Sequence, residues 1–442
     1  MRKYSPAVSR PSRSLVRTAA IAATALLVTG PLAASAHAEP AAPAAPNLPA
    51  ELIQAIQRDL KISPDDYLAR ANRAQQVAAF ATTAQRQFPD AFGGAWLDEA
   101  GKAIVAVAGG QDADAARKAV QDAGFTVKDV AKSETTLRSE KNAFQTWLQG
   151  QPSDVAQAVR GVAIDTVNNS VAVRVDHTGI QLPGFIDPAH VVTMSVPAAG
   201  DDSDIKQATP IAQQGPGPLA AGDAYASVAG RMQLRCSLGF NGTDASGATV
   251  NITAGHCNPN IAATPGANSP GVFTMVNQDT LGAQVGTFQK SVLGNEDYSI
   301  VSINDSAQGA FNNNLVRVPG AAPVAITGVA VPVVGAPVCK SGWRTGFSCG
   351  VVNATDQTVQ VGDRLLAQSF SMNICALPGD SGGPIVTGTQ ALGISSASTV
   401  ADYPICEIPN ILGLLTGNPP QLFAQPVTTV LSDNPGLRVN GA

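Results

Sequence analysis

Charged side chains are scarce in this sequence of 442 residues, where Asp, Glu, Lys and Arg together make up 14%. This low share excludes a long charged coiled coil and a disordered chain dominated by charge. Lys and Arg number 28 against 33 Asp and Glu, so the formal net charge is −5. The chain therefore lacks the basic excess that binds nucleic acid, and we expect no nucleic acid partner.

Cysteine and histidine are also scarce, and both are unevenly placed. All six cysteines lie at or beyond Cys236. In an oxidising compartment, a long cysteine-free segment before a cysteine-containing one indicates two unlike folding units. The chain has four histidines, and only His256 lies in the cysteine-containing half. Any chemistry in that half that needs a histidine base must use His256.

The first 38 residues have the pattern of a secretory signal peptide. A basic start without acidic residues precedes a small apolar stretch at 18–29, and small-residue cleavage patterns come next, up to Ala38. The apolar stretch is too short for a spanning helix, which needs about 20 apolar residues, and Pro31 would break a helix that continued beyond it. We expect cleavage of this signal, a secreted extracellular protein and no association with a membrane.

Residues 39–218 predict a small α+β unit. Apolar residues recur with helical spacing in the segments 52–88, 112–123 and 133–148. Alternating apolar residues around turns at 99–102 and 168–169 predict two hairpins. The unit ends in a stretch rich in Asp, Pro, Gln and Gly at 201–218, which predicts an exposed linker where proteolysis would concentrate.

From Leu219 onward, short runs rich in Val and Ile alternate with turn residues. The runs are 249–253, 282–288, 298–303, 324–334, 350–354, 365–372, 385–386 and 392–396. No long amphipathic helix is expected before the last residues. Many short strands at this spacing predict an antiparallel sandwich or barrel.

Three short motifs in this half contain the residues that activate a serine nucleophile: Ile-Thr-Ala-Gly-His256-Cys, Glu-Asp297-Tyr-Ser-Ile-Val and Pro-Gly-Asp-Ser381-Gly-Gly-Pro. A serine hydroxyl needs a base to take its proton and an acid to hold that base. The serine motif also fits the G-x-S-x-G elbow of α/β-hydrolases, but those enzymes place the histidine after the serine. No histidine follows Ser381, so that interpretation fails. Each residue alone is more often a turn, cap or structural residue; their combination in this order favours catalysis.

The stretches ITAGHC, EDYSIV and PGDSGGP resemble the bacterial branch of the chymotrypsin (S1) family, of the streptogrisin and α-lytic type. The resemblance covers about 219–442 and implies an all-β catalytic domain of two six-stranded antiparallel Greek-key barrels. The α+β unit lies where that branch carries a pro-region that assists folding, inhibits the enzyme and is cut away. The implied order is signal peptide 1–38, pro-region 39–218 and protease domain 219–442.

The resemblance also implies the roles of individual residues. Ser381 would be the nucleophile, His256 the general base and acid, and Asp297, rather than the adjacent Glu296, the residue that orients His256. The N–H groups of Gly379 and Ser381 would form the oxyanion hole. The implied protein is a serine endopeptidase made as a zymogen, a monomer without a cofactor. Its partners would be protein or peptide substrates and its own pro-region.

The six cysteines allow many pairings. The sequential pairing closes three short loops and is the pairing that the resemblance implies. The implied bridges are Cys236–Cys257, Cys339–Cys349 and Cys375–Cys406. A zinc site is the alternative, but there is no C-x-x-C pair and only one histidine nearby, so we do not favour it.

The sequence departs from the family near the expected substrate pocket. Asn373 and Ile374 stand where relatives build the floor and side of the pocket, and without an acidic residue there we expect no preference for Arg or Lys. Ser396, Ala397 and Ser398 lie where relatives usually have Ser-Gly-Gly. Their side chains would narrow the pocket, which predicts a preference for small or medium apolar residues.

A buried ion pair is also expected beside the oxyanion hole. Asp380 should need a cation, and the bacterial branch usually supplies an arginine next to a cysteine. Here the matching residue is Lys340, which follows Cys339 but lacks the bidentate fork of arginine.

Two alternatives remain open at this stage. One is a secreted protease-like protein, catalytically impaired, that only binds peptides. The other gives the N-terminal half a binding function of its own, with the C-terminal half as its cargo.

Overall fold

The computed structural model describes residues 48–198, 217–277 and 279–442. The predicted signal peptide at 1–38 lies outside the described residues, and so does the predicted linker at 201–218 except for its last two residues. Within the described ranges, no helix is long and apolar enough to cross a membrane.

The N-terminal part, residues 48–198, is an α+β arrangement. Its helices are α1 (Ala50–Ala55), which continues as a π-helix (Ile56–Leu60), α2 (Pro64–Gln87), α3 (Ala113–Asp122), α4 (Glu134–Gln149) and α5 (Ser153–Ala158). Its strands are β1 (Phe92–Leu97), β2 (Ala103–Ala108), β3 (Thr126–Val130), β4 (Val159–Asp165), β5 (Ser170–Val175) and β6 (Val191–Thr193). Ser63 begins α2 because its hydroxyl accepts the N–H of Asp66, and Ser133 caps α4 in the same way. Both expected hairpins are present, as β1–β2 and β4–β5.

A first barrel comes next along the chain. Its strands are β7 (Ala224–Ala229), β8 (Met232–Ser237), β9 (Phe240–Thr243), β10 (Thr249–Thr253), β11 (Gly271–Asn277), β12 (Thr280–Leu293) and β13 (Asp297–Ile303). They pair in the order β9-β10-β13-β12-β11-β7-β8. Strands β8 and β9 are separated by only two residues, so they act as two halves of one bent strand that closes the sheet. Phe240, Ile252 and Phe288 are among the buried residues of this barrel.

A second barrel is joined to the first by short elements. These are α6 (Gln308–Phe311), β14 (Leu315–Val316), β15 (Val324–Ala325) and β16 (Gly328–Val329). The barrel strands are β17 (Pro337–Gly342), β18 (Gly346–Val361), β19 (Arg364–Met372), β20 (Pro384–Thr387), β21 (Gln390–Ser398) and β22 (Leu422–Pro426). The order β17-β20-β21-β22-β19-β18 closes through pairing of β18 with β17. The predicted pair of six-stranded antiparallel barrels is confirmed.

The last elements are α7 (Glu407–Thr416), α8 (Val427–Asp433) and β23 (Arg438–Val439). Helix α7 has ten residues and could not be predicted from the sequence, but it is not the long amphipathic helix whose absence was expected. Its apolar side chains are not confined to a buried face, since Leu414 is 87% and Leu415 79% exposed. A helix without a buried apolar stripe gives no amphipathic signal.

The segment 324–334 was expected to be one strand, and this is wrong. It contains only the two-residue strands β15 and β16, which pair with β14 and β21 respectively. Pro332 has no N–H to donate to a ladder, and Val333 is buried outside any strand.

The N-terminal part is continuous with the second barrel. Strand β4 pairs antiparallel with β18 through Gly161 and Val359, so β4, β5 and β6 extend the barrel sheet. Leu52, Ile56 and Tyr67 are fully buried in an apolar cluster that also contains barrel residues. The N-terminal part therefore buries these apolar side chains against the barrels.

Candidate active site

Two neighbouring strands of the first barrel bring His256 and Asp297 together. His256 lies in a short 3₁₀ turn (Gly255–Cys257) directly after β10, and Asp297 begins β13, which pairs with β10. The N–H of His256 donates to Asp297 Oδ1 at 3.0 Å, and the ring Nδ1 lies 2.7 Å from Oδ2. Backbone and ring are both held, so the imidazole has one orientation.

The carboxyl group of Asp297 is fully buried and accepts several hydrogen bonds. Besides His256, the hydroxyl of Ser396 and Nη2 of Arg364 donate to Oδ2, the latter at 3.1 Å. Burial raises the pKa of Asp297, but the His256 ring, Arg364 and Ser396 outweigh burial and hold this pKa well below its usual range. An ionised Asp297 favours a proton on Nδ1 of His256. Nε2 is buried and has no hydrogen-bond partner in the described part of the chain, so it can accept a proton.

Ser381 comes from the second barrel, in the loop between β19 and β20. Its carbonyl accepts the N–H of Ser237 at 2.8 Å, which ties this loop to the first barrel. The next residue, Gly382, is so close to the strand leading to His256 that a Cβ would lie 2.0 Å from Thr253 Oγ1. Only glycine permits this approach, which places Ser381 at the junction of the two barrels.

The loop before Ser381 turns around the buried carboxylate of Asp380. Gly379 has φ +104, a conformation that favours glycine. Oδ1 of Asp380 accepts the N–H of Thr345 at 3.0 Å, and Oδ2 accepts the N–H of Leu377 at 3.0 Å. The hydroxyl of Thr345 also donates to Oδ2, at 2.6 Å. These donors fix the shape of the loop that presents the N–H groups of Gly379 and Ser381.

Lys340 is buried beside this loop, as expected. Its Nζ lies 3.5 Å from Asp380 Oδ2 and donates to the carbonyl of Gly346 at 3.2 Å and to the hydroxyl of Thr345. Burial lowers the pKa of Lys340, and Asp380 offsets only part of this effect. Thr345 therefore bridges the two charged groups, since it donates to Asp380 and accepts from Lys340.

Several known proteins are similar to this chain. Residues 226–412 match the family model described as Trypsin. Streptogrisin-C of Streptomyces griseus is 30% identical over an alignment that covers 96% of this chain and 89% of the relative. The chain belongs to the trypsin family of serine proteases.

Other members of this family match a smaller share of the chain. Serine protease 2 of Streptomyces fradiae is 36% identical over 41% of this chain and 95% of its own length. The solved structure of Nocardiopsis protease is 29% identical, covers 50% of this chain and 98% of its own, and has a TM-score of 0.38. As a member of the trypsin family, the chain is a serine endopeptidase that acts on proteins or peptides.

The pocket beside Ser381 contains some of the expected specificity residues. It is lined by Ala198, Ala376, Leu377, Ser381, Ser395, Ser396, Ala397, Ser398, Ala401 and Leu422. Asn373 and Ile374 are not in this lining. Asn373 Oδ1 instead accepts the N–H of Val351 at 2.7 Å, and Ile374 is buried in the second barrel.

The end of the N-terminal part lies on the strand that lines this pocket. The N–H of Ala198 donates to the carbonyl of Ser398 and the N–H of Ser398 donates to the carbonyl of Ala198, both at 3.0 Å. Met194 is buried with Val361, Ala397 and other residues of the second barrel. This tail could not be predicted from the sequence, because it has no strand pattern of its own.

The six cysteines form three disulfides, Cys236–Cys257, Cys339–Cys349 and Cys375–Cys406. These are the pairs that the resemblance implied. The first joins β8 to the turn that carries His256, and the third joins the Ser381 loop to the start of α7. Because Cys236 and Cys257 are bonded to each other, their sulfurs do not offer thiolate ligands beside His256.

Arg364 is a further residue of the site that the sequence does not indicate. It begins β19 and is 67 positions from Asp297 along the chain, yet its guanidinium contacts the Asp297 carboxylate. No local pattern distinguishes it from other arginines that come after a turn.

Proposed function

We propose that this serine endopeptidase is secreted as a zymogen and cuts peptide bonds through a triad of Ser381, His256 and Asp297. The observation that carries the proposal is the buried Asp297 carboxylate, which holds the ring and the backbone of His256. Such a group keeps the imidazole in the tautomer that can take a proton from serine, and it stabilises the imidazolium that forms.

The proposed reaction has two halves. Ser381 Oγ attacks the carbonyl carbon of the substrate while His256 Nε2 takes the hydroxyl proton. The N–H groups of Gly379 and Ser381 stabilise the negative oxygen, and His256 then gives its proton to the leaving amine. In the second half, a water that transfers a proton to His256 attacks the acyl carbon. His256 then returns that proton to Ser381 Oγ as the bond between Oγ and the acyl carbon breaks, which releases the carboxylic acid product and the free enzyme.

The zymogen proposal assigns residues 39–218 as a pro-region and 219–442 as the protease domain, after a signal peptide at 1–38. The pairing of Ala198 with Ser398 supports inhibition, because the tail occupies a strand that would bind substrate. The shared sheet of β4 and β18 supports a role in folding. We propose that cleavage in or near 201–218 releases a monomeric mature enzyme outside the cell.

The pocket supports a preference for small or medium apolar residues. Ala397 and Ser398 carry side chains on the substrate strand, and Leu377 and Leu422 supply apolar walls. A panel of peptides that differ only at the residue before the cut tests this preference. Fastest cleavage after Ala, Val or Leu is expected, whereas fastest cleavage after Phe, Tyr or Lys would overturn it.

The triad and the processing are tested together by intact mass of the secreted protein, with and without a fluorophosphonate probe. The parent should yield a species of about 219–442 that gains one adduct. Ser381→Ala should remain full-length and unlabelled, with turnover reduced roughly 10⁴–10⁶-fold. Ser306→Ala, which removes an exposed hydroxyl from the same half, is the matched control and should behave as the parent.

Two results would contradict the proposal. Equal labelling of the parent and Ser381→Ala would exclude Ser381 as the nucleophile. A processed, folded parent that the probe does not label, but that binds peptides, would favour the alternative of a protease-like binding protein.

A further inference from the structure

Arg364 lies against the catalytic carboxylate because of the hairpin that carries it. It is the first residue of β19, directly after the turn at 362–363 that connects β18 to β19. The N–H of Ala367 donates to the carbonyl of Asn295 at 2.7 Å, which attaches β19 to the loop that leads into Asp297. The approach of Arg364 to Asp297 is therefore fixed by backbone pairing.

The guanidinium of Arg364 is largely desolvated. Its side chain is 14% exposed, Asp297 is fully buried, and Nη2 lies 3.1 Å from Oδ2. Nη1 is buried without a hydrogen-bond partner within the described ranges. A buried cation with an unsatisfied N–H is unfavourable for stability, so packing alone does not account for an arginine here.

The same oxygen of Asp297 accepts from three side chains. Oδ2 accepts hydrogen bonds from Arg364 Nη2, the Ser396 hydroxyl and His256 Nδ1. A positive charge on Arg364 stabilises the ionised carboxylate and repels a second positive charge on the His256 ring. It therefore opposes protonation of His256 while it keeps Asp297 in place.

We propose that Arg364 is a positioning residue for the His256–Asp297 pair. Arg364 holds the carboxylate of Asp297, and its charge makes His256 available as a base at lower pH than Asp297 alone would allow. The inference rests on the proposed function, because it takes His256 as the base of the reaction. Arg364 adds a positively charged group beside the triad. It lies on β19, a strand that the sequence alone does not connect with the site.

The effect of Arg364 on the pH profile must be distinguished from the effects of other titratable groups near His256 and Asp297. Tyr225 is buried near Asp297, and burial keeps its pKa well above the usual range, so it stays neutral. Glu296 precedes Asp297, and partial burial with the neighbouring Asp433 raises its pKa to about 7, while Lys290 opposes this rise. Glu296 therefore titrates within the range of the pH profile and needs its own control.

The test is the pH profile of kcat/KM for a neutral peptide substrate, whose acid limb reports the base of the free enzyme. In Arg364→Gln we expect the acid limb to move to higher pH by roughly half to one unit. Activity on the acid side should fall about three- to tenfold, with a much smaller change on the plateau. Arg364→Lys, which keeps a positive charge, should restore most of the parent profile.

Two control variants accompany this series. Arg317→Gln removes a guanidinium that pairs with a different carboxylate, Asp223, at 2.7 Å, and should leave the acid limb unchanged. Glu296→Gln removes the neighbouring carboxyl group, and the shift caused by Arg364→Gln should persist in its presence. A second readout is available because His256 is the one histidine in 219–442. Its imidazole proton resonances in the processed enzyme should titrate at higher pH in Arg364→Gln than in the parent.

An unchanged acid limb and imidazole titration in Arg364→Gln would overturn the inference. Equal losses at all pH values in the Gln and Lys variants would also overturn it, because they would indicate a structural role. If Arg364→Gln does not fold, Arg364→Met replaces it, and failure of both while Arg364→Lys folds would likewise favour a structural role. Full turnover in Ser381→Ala would instead refute the proposed function, whereas an inactive Ser381→Ala with an unshifted Arg364→Gln would refute only this inference.

Discussion

The N-terminal part and the two barrels are stabilised in different ways. Among the described residues, all three disulfides lie in the barrels. The barrels also bury charged pairs, such as Lys340–Asp380 and Arg364–Asp297, that surround the proposed catalytic groups. The N-terminal part has ion pairs on its surface, such as Lys118–Asp122, which contribute little to stability.

This difference fits two different roles. A catalytic site needs groups held in place before the substrate arrives, and buried, fully bonded carboxylates supply that order. If the N-terminal part is removed as proposed, its contacts must be able to separate, and it presents apolar side chains such as Leu52 and Ile56 to the barrels. The barrels should therefore be sensitive to the loss of charges, and the N-terminal part to the loss of apolar area at the contact.

The largest effect is expected from Lys340→Ala. It leaves the buried carboxylate of Asp380 without its cation, which should lower the free energy of unfolding by about 3–5 kcal/mol. Peptide hydrolysis should fall strongly, because Asp380 shapes the loop that we propose as the oxyanion hole. Urea denaturation in a Ser381→Ala background and turnover in the active chain measure the two effects.

Lys118→Ala is the matched control, because its ion pair in the N-terminal part is exposed. It should change the free energy of unfolding by less than about 0.5 kcal/mol. Similar changes in the free energy of unfolding for Lys340→Ala and Lys118→Ala would mean that the buried ion pair stabilises the protein no more than the exposed one. Unchanged turnover in Lys340→Ala would refute the proposed role of Lys340 beside the oxyanion loop.

A second effect should come from the apolar contact, through Leu52→Ala. Leu52 is fully buried in a cluster that includes Phe347 and Val386 of the second barrel. Removing its side chain should cost about 2–4 kcal/mol in the unfolding of the full-length Ser381→Ala protein, measured by urea denaturation. Leu414→Ala, at an exposed position of α7, is the control and should cost less than about 0.5 kcal/mol. Equal small effects would show that α1 is not held by burial.

The features of the fold that could be predicted from the sequence have local signals. Ser63 followed by Pro64 marks the start of α2, and an Asn-Asn turn marks the hairpin of β4 and β5. The short motifs around His256 and Ser381 are equally local, and each motif contains its functional residue. Periodicity, caps and turn residues act over a few positions, so they can be recognised without the fold.

The features that could not be predicted depend on contacts between distant segments. The pairing of β4 with β18 joins positions such as Gly161 and Val359 that share no pattern. The tail at Ala198 and the guanidinium of Arg364 likewise contact partners that lie far away along the chain. Composition and spacing indicate that a strand exists, but its register with a distant strand is set by tertiary packing.

The smallest effect is expected at a polar contact between the two regions. The N–H of Gly388 in the second barrel donates to the hydroxyl oxygen of Tyr67 at 3.0 Å. Tyr67→Phe leaves that N–H unsatisfied and should lower the free energy of unfolding of the full-length Ser381→Ala chain by about 1 kcal/mol near pH 8. Tyr403→Phe, in the barrels and only partly buried, is the control and should change it by less than about 0.5 kcal/mol.

The same hydroxyl gives this contact a dependence on pH. Burial raises the pKa of Tyr67 well above its usual range, and the bond from Gly388 offsets only part of that rise. The folded chain therefore holds this proton more tightly than the unfolded chain, whose tyrosines titrate at about pH 10. The contribution of Tyr67 is complete below about pH 10 and is lost as the pH rises above it, so the parent should lose more stability there than Tyr67→Phe. Urea denaturation at about pH 8 and about pH 10.5 measures the difference. A gap between parent and variant that stays constant or widens at the higher pH would show that the Tyr67 hydroxyl is not buried at the contact between the two regions.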